Sequence, residues 1–260
     1  MLALGCALLF DRSARRRGLD PPGFAHPARR AAGLAVVGVC LALTSFAPLA
    51  TLGEAPAEVD FAAVPPWQLF VVHALLALTV VTWFGAGFAG SGASLASQVG
   101  LRAHRPLAEI GFGLVFGIGA WFVVLGSAWL IAVVVAALGG DDLLPKRPPA
   151  AVVWLVGQSV GLRAALAFSA GGVEEIFFRG LLQPRVGLAV STALFALAHL
   201  AYGQPFLLVG VTLLSVLYGL LVRWRQSVWA AIAAHTVFDL VQLLVVVPAL
   251  LGEFRGFWAP

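Results

Sequence analysis

Charge is what this 260-residue chain has least of. Only 11% of its residues are Asp, Glu, Lys or Arg, against 61% that are hydrophobic. Soluble domains carry about 25% charged residues, and a globule must present much of its surface to water. A soluble fold is therefore excluded. Lysine is nearly missing: of sixteen basic residues only Lys146 is not arginine. The basic residues gather in short connections between apolar runs, the pattern of membrane loops and not of a nucleic-acid surface. Cysteine is limited to Cys6 and Cys40, both in apolar stretches, which leaves no basis for a disulfide framework or a Cys-based metal site. A secretory leader pattern is also missing. Met1 to Phe10 is apolar and the arginines Arg12 and Arg15 to Arg17 come after it, the reverse of a signal peptide. That segment reads as a surface-lying lead-in or as part of a longer helix.

What is present is a series of apolar runs long enough to cross ~30 Å of hydrocarbon, which takes about 20 residues of helix. Seven spans are expected, near Ala31–Leu52, Trp67–Phe88, Phe112–Leu138, Ala151–Ala170, Gly187–Ala201, Pro205–Val222 and Val228–Leu251. The fourth should lead past Gly171 and Gly172 into a further helix, Val173 to Gln183, and the fifth is short for a full crossing. The fold class is all-α, a polytopic transmembrane bundle of about seven to eight helices. Residues 1–30 form a basic cytoplasmic lead-in, 31–150 the N-terminal membrane helices and 151–251 the helices that carry the chemistry, with 31–251 one integrated membrane domain.

Loop charge sets the orientation. Asp11 to Arg30 holds six arginines and reads as cytoplasmic, whereas Gly53 to Pro66 holds Glu54, Glu58 and Asp60 with no basic residue and reads as external. Arg102 and Arg105, Arg179 and Arg185, and Arg223 and Arg225 return to the inside; Lys146 and Arg147 fall outside, beside Asp141 and Asp142. Close helix packing is expected at the Gly-x-x-x-Gly pairs Gly113/Gly117 and Gly157/Gly161. Gly85, Gly87 and Gly90 end a membrane helix instead of following a strand, which rules out a dinucleotide fingerprint.

Three polar groups interrupt the last apolar stretches: Glu174, Glu175 and Arg179; Phe195 and His199; His235 and Asp239. A charge at the centre of a membrane helix costs about 2.5–3.5 kcal/mol on insertion scales, so three such groups call for a common reason. Residues four apart share a helix face. Glu175 and Arg179 can therefore pair as a buried anchor, while Glu174, turned about 100° away, can face the histidines. Glu174, His199 and His235 make a set that suits zinc with one position left for water, and a carboxylate there can act as general base. Without a metal, Glu174 and His199 can polarise water while His235 and Asp239 stabilise the oxyanion. His73 and Arg163 belong to no such group and read as hydrogen-bonding residues between helices.

These three motifs, Glu-Glu-x-x-x-Arg, Phe-x-x-x-His and His-x-x-x-Asp, resemble in order and spacing those of the CAAX prenyl protease and bacteriocin-processing family, the Abi or type II CAAX endopeptidase-like proteins. The resemblance covers about the last third of the chain. It implies an intramembrane endopeptidase, possessing a cavity among the last four helices, that acts on a peptide or protein substrate entering from the bilayer. It also implies that Glu174 and His199 activate water while His235 and Asp239 support an oxyanion or a metal, zinc by preference. Asp239 stands where the eukaryotic prenyl endopeptidases have Asn, which favours an acidic, metal-friendly site. The expected location is a bacterial cytoplasmic membrane.

Other chemistries fit less well. No His-Glu-x-x-His is present. Ser94 lies in a connection with no matched histidine, and Gly139 to Asp142 reads as a turn. A non-catalytic membrane partner, such as a bacteriocin-immunity or protein-binding factor, is the main alternative. A proton-coupled carrier lacks the duplicated halves and paired broken helices of that class.

Overall fold

Backbone N–H and C=O groups must be satisfied internally within lipid, and this chain meets the requirement with helices. A computed structural model describes residues 1–51, 63–140, 142, 144, 149–200 and 204–252, and among them all regular structure is helical. Helix α1 (Leu2–Arg16) lies against α2 (Pro27–Leu41), which runs on through a π-helical turn, Ala42–Phe46. Then come α3 (Val71–Phe88), the one-turn α4 (Leu95–Gln98) and the long α5 (Pro106–Ala137). The short α6 (Ala150–Val156) precedes α7 (Val160–Glu175), which passes through a π-helical segment, Ile176–Leu182, into α8 (Gln183–Val186). Helices α9 (Leu188–Ala198), α10 (Pro205–Arg225), α11 (Val228–Val241) and α12 (Val247–Leu251) complete the bundle.

Five helical stretches are long and apolar enough to cross a membrane: Pro27–Ala50, Pro66–Phe88, Pro106–Ala137, Phe206–Arg225 and Val228–Leu251. The protein is an integral membrane protein. The count corrects the expectation of seven spans in two places. α9 has 11 residues, about 16 Å of helix, too short to cross on its own. The fourth run is broken: α6 meets the segment Val160–Val186 at 119°, and the pair makes a sixth span only if taken together. The break falls at Gly157, Gln158 and Ser159, not at Gly171 and Gly172. Gly157 ends α6, and the Ser159 hydroxyl caps α7 by accepting from the Leu162 N–H at 3.3 Å. Helix α7 runs unbroken through both glycines.

Helix α11 is the hub, packed on α5, α7 and α10. Missing side chains permit this. A Cβ on Gly113 or Gly117 would collide with the carbonyl oxygens of Ala230 and Ala234 on α11, and one on Gly171 would collide with the Thr236 hydroxyl. The pair Gly113/Gly117 thus packs helices as its spacing implies. Gly157/Gly161 does not, since a Cβ on Gly161 meets open space. Gly117→Leu is therefore expected to cost about 1–3 kcal/mol by overpacking and to lower the thermal midpoint in detergent, read by circular dichroism. Gly119→Leu, two residues away where a Cβ also meets open space, is the control. Equal midpoints for the two variants would remove the α5–α11 contact as a determinant of stability.

The basic connections collect at one end, as their charge requires. The Arg17 guanidinium donates to the Pro184 carbonyl at 3.3 Å, the Val228 N–H to Gly100 at 3.0 Å, and the Trp229 indole to Leu101 at 2.8 Å. Arg225 forms a bidentate pair with Glu109 at 2.9 and 2.7 Å. The N-terminal segment joins this end as α1, with buried Asp11 paired to Arg15 and Arg30 at 2.7 and 2.6 Å. Glu54, Glu58, Asp60, Asp141, Lys146, Arg147 and Ala201 lie outside the described residues.

Candidate active site

The polar residues singled out above come together where α3, α7, α9 and α11 meet. Glu174 and Glu175 occupy the last turn of α7, directly before the π-helical segment. Such widened turns recur at functional sites. Here the segment buries Phe177, Phe178, Arg179, Gly180, Leu181 and Leu182 in succession. Glu174 stands ten residues before Pro184 at the basic end, with the π-helical segment between them.

The two carboxylates do look in different directions. Glu175, fully buried, lies 2.9 Å from His235 Nδ1 through Oε1 and 3.3 Å from Arg179 Nε through Oε2. The same imidazole reaches Asp239 Oδ2 through Nε2 at 3.5 Å. Arg179, 1% exposed, also stacks over the Phe195 ring, its guanidinium carbon 4.4 Å from the centroid. Glu174 faces the other way. Its Oε1 is 3.3 Å from His73 Nε2, and its Oε2 is 3.9 Å from His199 Nε2. The His199 Nδ1 sits 2.8 Å from the Phe195 carbonyl, which can only accept, so Nδ1 carries a proton, and in the neutral ring Nε2 turns its lone pair toward Glu174.

Phe195 ties the two halves together. Its ring lies 4.4 Å from the His199 ring, 6.3 Å from the His235 ring and 5.0 Å from Phe178, centroid to centroid. The second motif thus supplies a hydrophobic partition as well as a histidine. Tyr218 of α10 stacks on His235 at 5.4 Å and donates to the Ala234 carbonyl at 3.4 Å.

His73 does hydrogen-bond between helices, as read, but it is not apart from the polar groups: it contacts Glu174. It is buried on α3, with Nδ1 2.8 Å from the Ser169 hydroxyl and Nε2 on Glu174. A polar side chain in a span of mean hydropathy 2.1 was the available signal. It has no partner at helical spacing on its own element, so local periodicity could not connect it to the site. Arg163 holds the bridging place expected of it, donating to the Leu243 carbonyl at 3.0 Å. Ser94 caps α4 through Ser97 and has no place in the site.

The expected metal set fits poorly. Both ring nitrogens of His235 face carboxylates other than Glu174, so Glu174, His199 and His235 do not aim lone pairs at one point. Among the described residues no group of three His, Cys, Asp or Glu is arranged to hold a metal ion. What converges instead is one pair: Glu174 Oε2, buried with no hydrogen-bond partner among the described residues, and His199 Nε2. A polar separation of 3.9 Å is one that a water can bridge. A cavity of about 780 Å³ at the basic end is lined by Arg17, Arg179, Arg185 and Arg223 among others and touches the site only through Arg179.

Residues 156–241 match the Rce1-like family, type II CAAX prenyl endopeptidase Rce1-like. The match runs from the last residue of α6 to the last of α11 and includes Glu174, Glu175, Arg179, His199, His235 and Asp239. The resemblance carried by the three motifs therefore rests on this region. A stretch of 69 residues is 38% identical to the uncharacterized protein YpbD of Bacillus subtilis, covering 26% of this chain and 36% of that protein. The chain thus aligns with little more than a third of its curated relative's length. No solved structure matches.

Proposed function

We propose that this protein is an intramembrane endopeptidase that hydrolyses a peptide bond with a water activated by Glu174 and His199. The observation that carries this reading is the facing pair Glu174 Oε2 and His199 Nε2, 3.9 Å apart in a buried setting. A water between them gives its proton to Glu174 while its oxygen attacks the substrate carbonyl carbon. The developing oxyanion needs a donor. His235 supplies it through Nε2, whose 3.5 Å contact with Asp239 is looser than the 2.9 Å bond that Glu175 makes to Nδ1. Glu175 holds the ring through Nδ1–H, and in the protonated imidazole Nε2–H, only loosely engaged by Asp239, is the donor offered to the oxyanion. Collapse of the tetrahedral intermediate breaks the C–N bond, and the proton held on Glu174 passes to the departing amine. Asp239, one quarter exposed, balances the charge on His235.

The substrate is a peptide or protein that reaches the site from the bilayer, and a bacterial cytoplasmic membrane is the proposed setting. Zinc held by Glu174, His199 and His235 would require His235 Nε2 to leave Asp239, with Glu175 kept on Nδ1; no group of three such residues is arranged to hold an ion among the described residues, and the proposed reaction needs none.

The test uses the full chain in proteoliposomes with internally quenched peptides, both farnesylated CAAX sequences and their unmodified counterparts. His199→Ala and His235→Ala are each expected to lower kcat by about 10²–10³-fold, and o-phenanthroline is expected to leave the wild-type rate unchanged. Full activity in both variants would defeat the hydrolase reading. Chelator inactivation reversed by zinc would replace the metal-free mechanism with the metal one.

A further inference from the structure

Glu174 has two oxygens, and only one can face His199. An unrestrained carboxylate turns about its terminal torsion, which has a broad, two-fold profile, and presents either oxygen or neither. The structure contains a device that removes this freedom, and its central residue lies in a part of the chain that the family match does not reach. We propose that His73, backed by Ser169, is a positioning residue that fixes Glu174 so that Oε2 alone acts as the base. This rests on the reading of Glu174 as general base.

The three side chains form a chain across two helices. His73 on α3 places Nε2 3.3 Å from Glu174 Oε1 and Nδ1 2.8 Å from Ser169 Oγ on α7. His73 and Glu174 are buried, at 7% and 9% exposure. With Glu174 ionised, a carboxylate only accepts, so His73 Nε2 must carry the ring proton. Neutral imidazole then leaves Nδ1 as an acceptor, and the Ser169 hydroxyl donates to it. The carboxylate thus selects the tautomer in which Nε2 is the donor, and the Ser169 hydroxyl, by donating to Nδ1, holds the ring in place. Ser169 and Glu174 are five residues apart on α7, so one rigid helix carries both ends and His73 reaches across from α3 to join them.

The consequence is an asymmetric carboxylate. Oε1 is taken by His73, while Oε2 has no hydrogen-bond partner among the described residues and stands 3.9 Å from His199 Nε2. A base with one oxygen tied and the other directed at the water site is preorganised, and a small misplacement of such a group costs rate more than affinity. His73 touches neither the water site nor, in this arrangement, the substrate, so its removal acts on kcat and spares KM.

The experiment measures kcat and KM for His73→Phe, His73→Gln, Ser169→Ala and Glu174→Gln in the full chain in proteoliposomes, with the quenched peptides above. Size-exclusion and circular-dichroism profiles are recorded for each variant. His73→Phe keeps an aromatic ring but no donor, and is expected to lose about 10–100-fold in kcat, the loss of one charge-assisted hydrogen bond, with KM within about twofold. His73→Gln places an amide N–H near the Nε2 position and is expected to recover at least tenfold over His73→Phe. Ser169→Ala should fall between them. A His73→Phe variant with wild-type kcat, or equal losses in the Phe and Gln variants, overturns the positioning role. A loss confined to KM overturns it as well. Should His73→Phe misfold, the Ser169→Ala result decides alone: unchanged kcat overturns the proposal. Glu174→Gln separates the two layers. If it stays fully active, the general-base reading itself fails; if it is inactive while His73→Phe is normal, only the positioning role is lost.

Discussion

Glu174→Gln is expected to reduce kcat by about 10²–10⁴-fold, the range that a positioned general base contributes, while leaving the fold intact. Glutamine has nearly the same shape, and its carbonyl oxygen can still accept from His73 Nε2, now 3.3 Å from Glu174 Oε1. The amide nitrogen would then occupy the place of Oε2 and point N–H groups at His199 Nε2, across the 3.9 Å where the mechanism places its water. An amide cannot take the water's proton, and its N–H groups compete for the acceptor that should orient that water. Glu174→Asp tests geometry instead of acidity: one methylene less draws the carboxylate away from both histidines, so much of the rate should also be lost. Progress curves at saturating peptide give kcat directly. The competing reading, a non-catalytic partner on the same scaffold, makes the opposite forecast, because a binding face has no use for a proton acceptor buried at 9% exposure. Cleavage by Glu174→Gln at the wild-type rate would sink the mechanism.

How much of this was legible beforehand depended on whether the information was local. The pairing of Glu175 with Arg179 was readable because both residues sit on one helix at a spacing that fixes their relative direction. That Glu174 would face elsewhere followed from the same geometry, and His199 was found on its side. What the sequence did not disclose was the partner of His235. Its spacing to Asp239 was visible, yet the shorter contact, 2.9 Å to Glu175, joins residues 60 apart in the chain. His73 is the sharper case. Its bond to Glu174 spans 101 residues and two helices, and nothing in the periodicity of α3 marks a destination. The break before α7 was misplaced for another reason. Two adjacent glycines looked like the weak point, but the chain turns at Gly157 to Ser159. Gly171 is there because Thr236 leaves no room for a Cβ, a packing demand that composition alone cannot distinguish from a hinge.

The buried ion pair carries the largest expected effect on stability. Arg179→Met should destabilise the protein by about 3–5 kcal/mol, the cost of leaving one partner of a buried pair uncompensated. The charge left behind is Glu175, 0% exposed, whose remaining partner is the His235 ring. The guanidinium's place over Phe195, 4.4 Å from the ring centroid, adds a cation–π contact that methionine only partly replaces. The second change separates these contributions. If the penalty comes from the orphaned carboxylate, Glu175→Gln combined with Arg179→Met should recover half or more of it, since a neutral amide beside an apolar chain is far cheaper to bury than a lone charge. Arg179→Lys should fall between wild type and Met, because an ammonium keeps the charge but loses the planar stacking. Unfolding in mixed micelles with increasing sodium dodecyl sulfate, followed by tryptophan fluorescence, ranks the five proteins, the Glu175→Gln single variant included. Strict additivity of the two single changes would mean that Glu175 and Arg179 do not interact. The His235 ring would then be held by Glu175 alone, and the arginine of the first motif would need a different explanation, beginning with the basic cavity that it also lines.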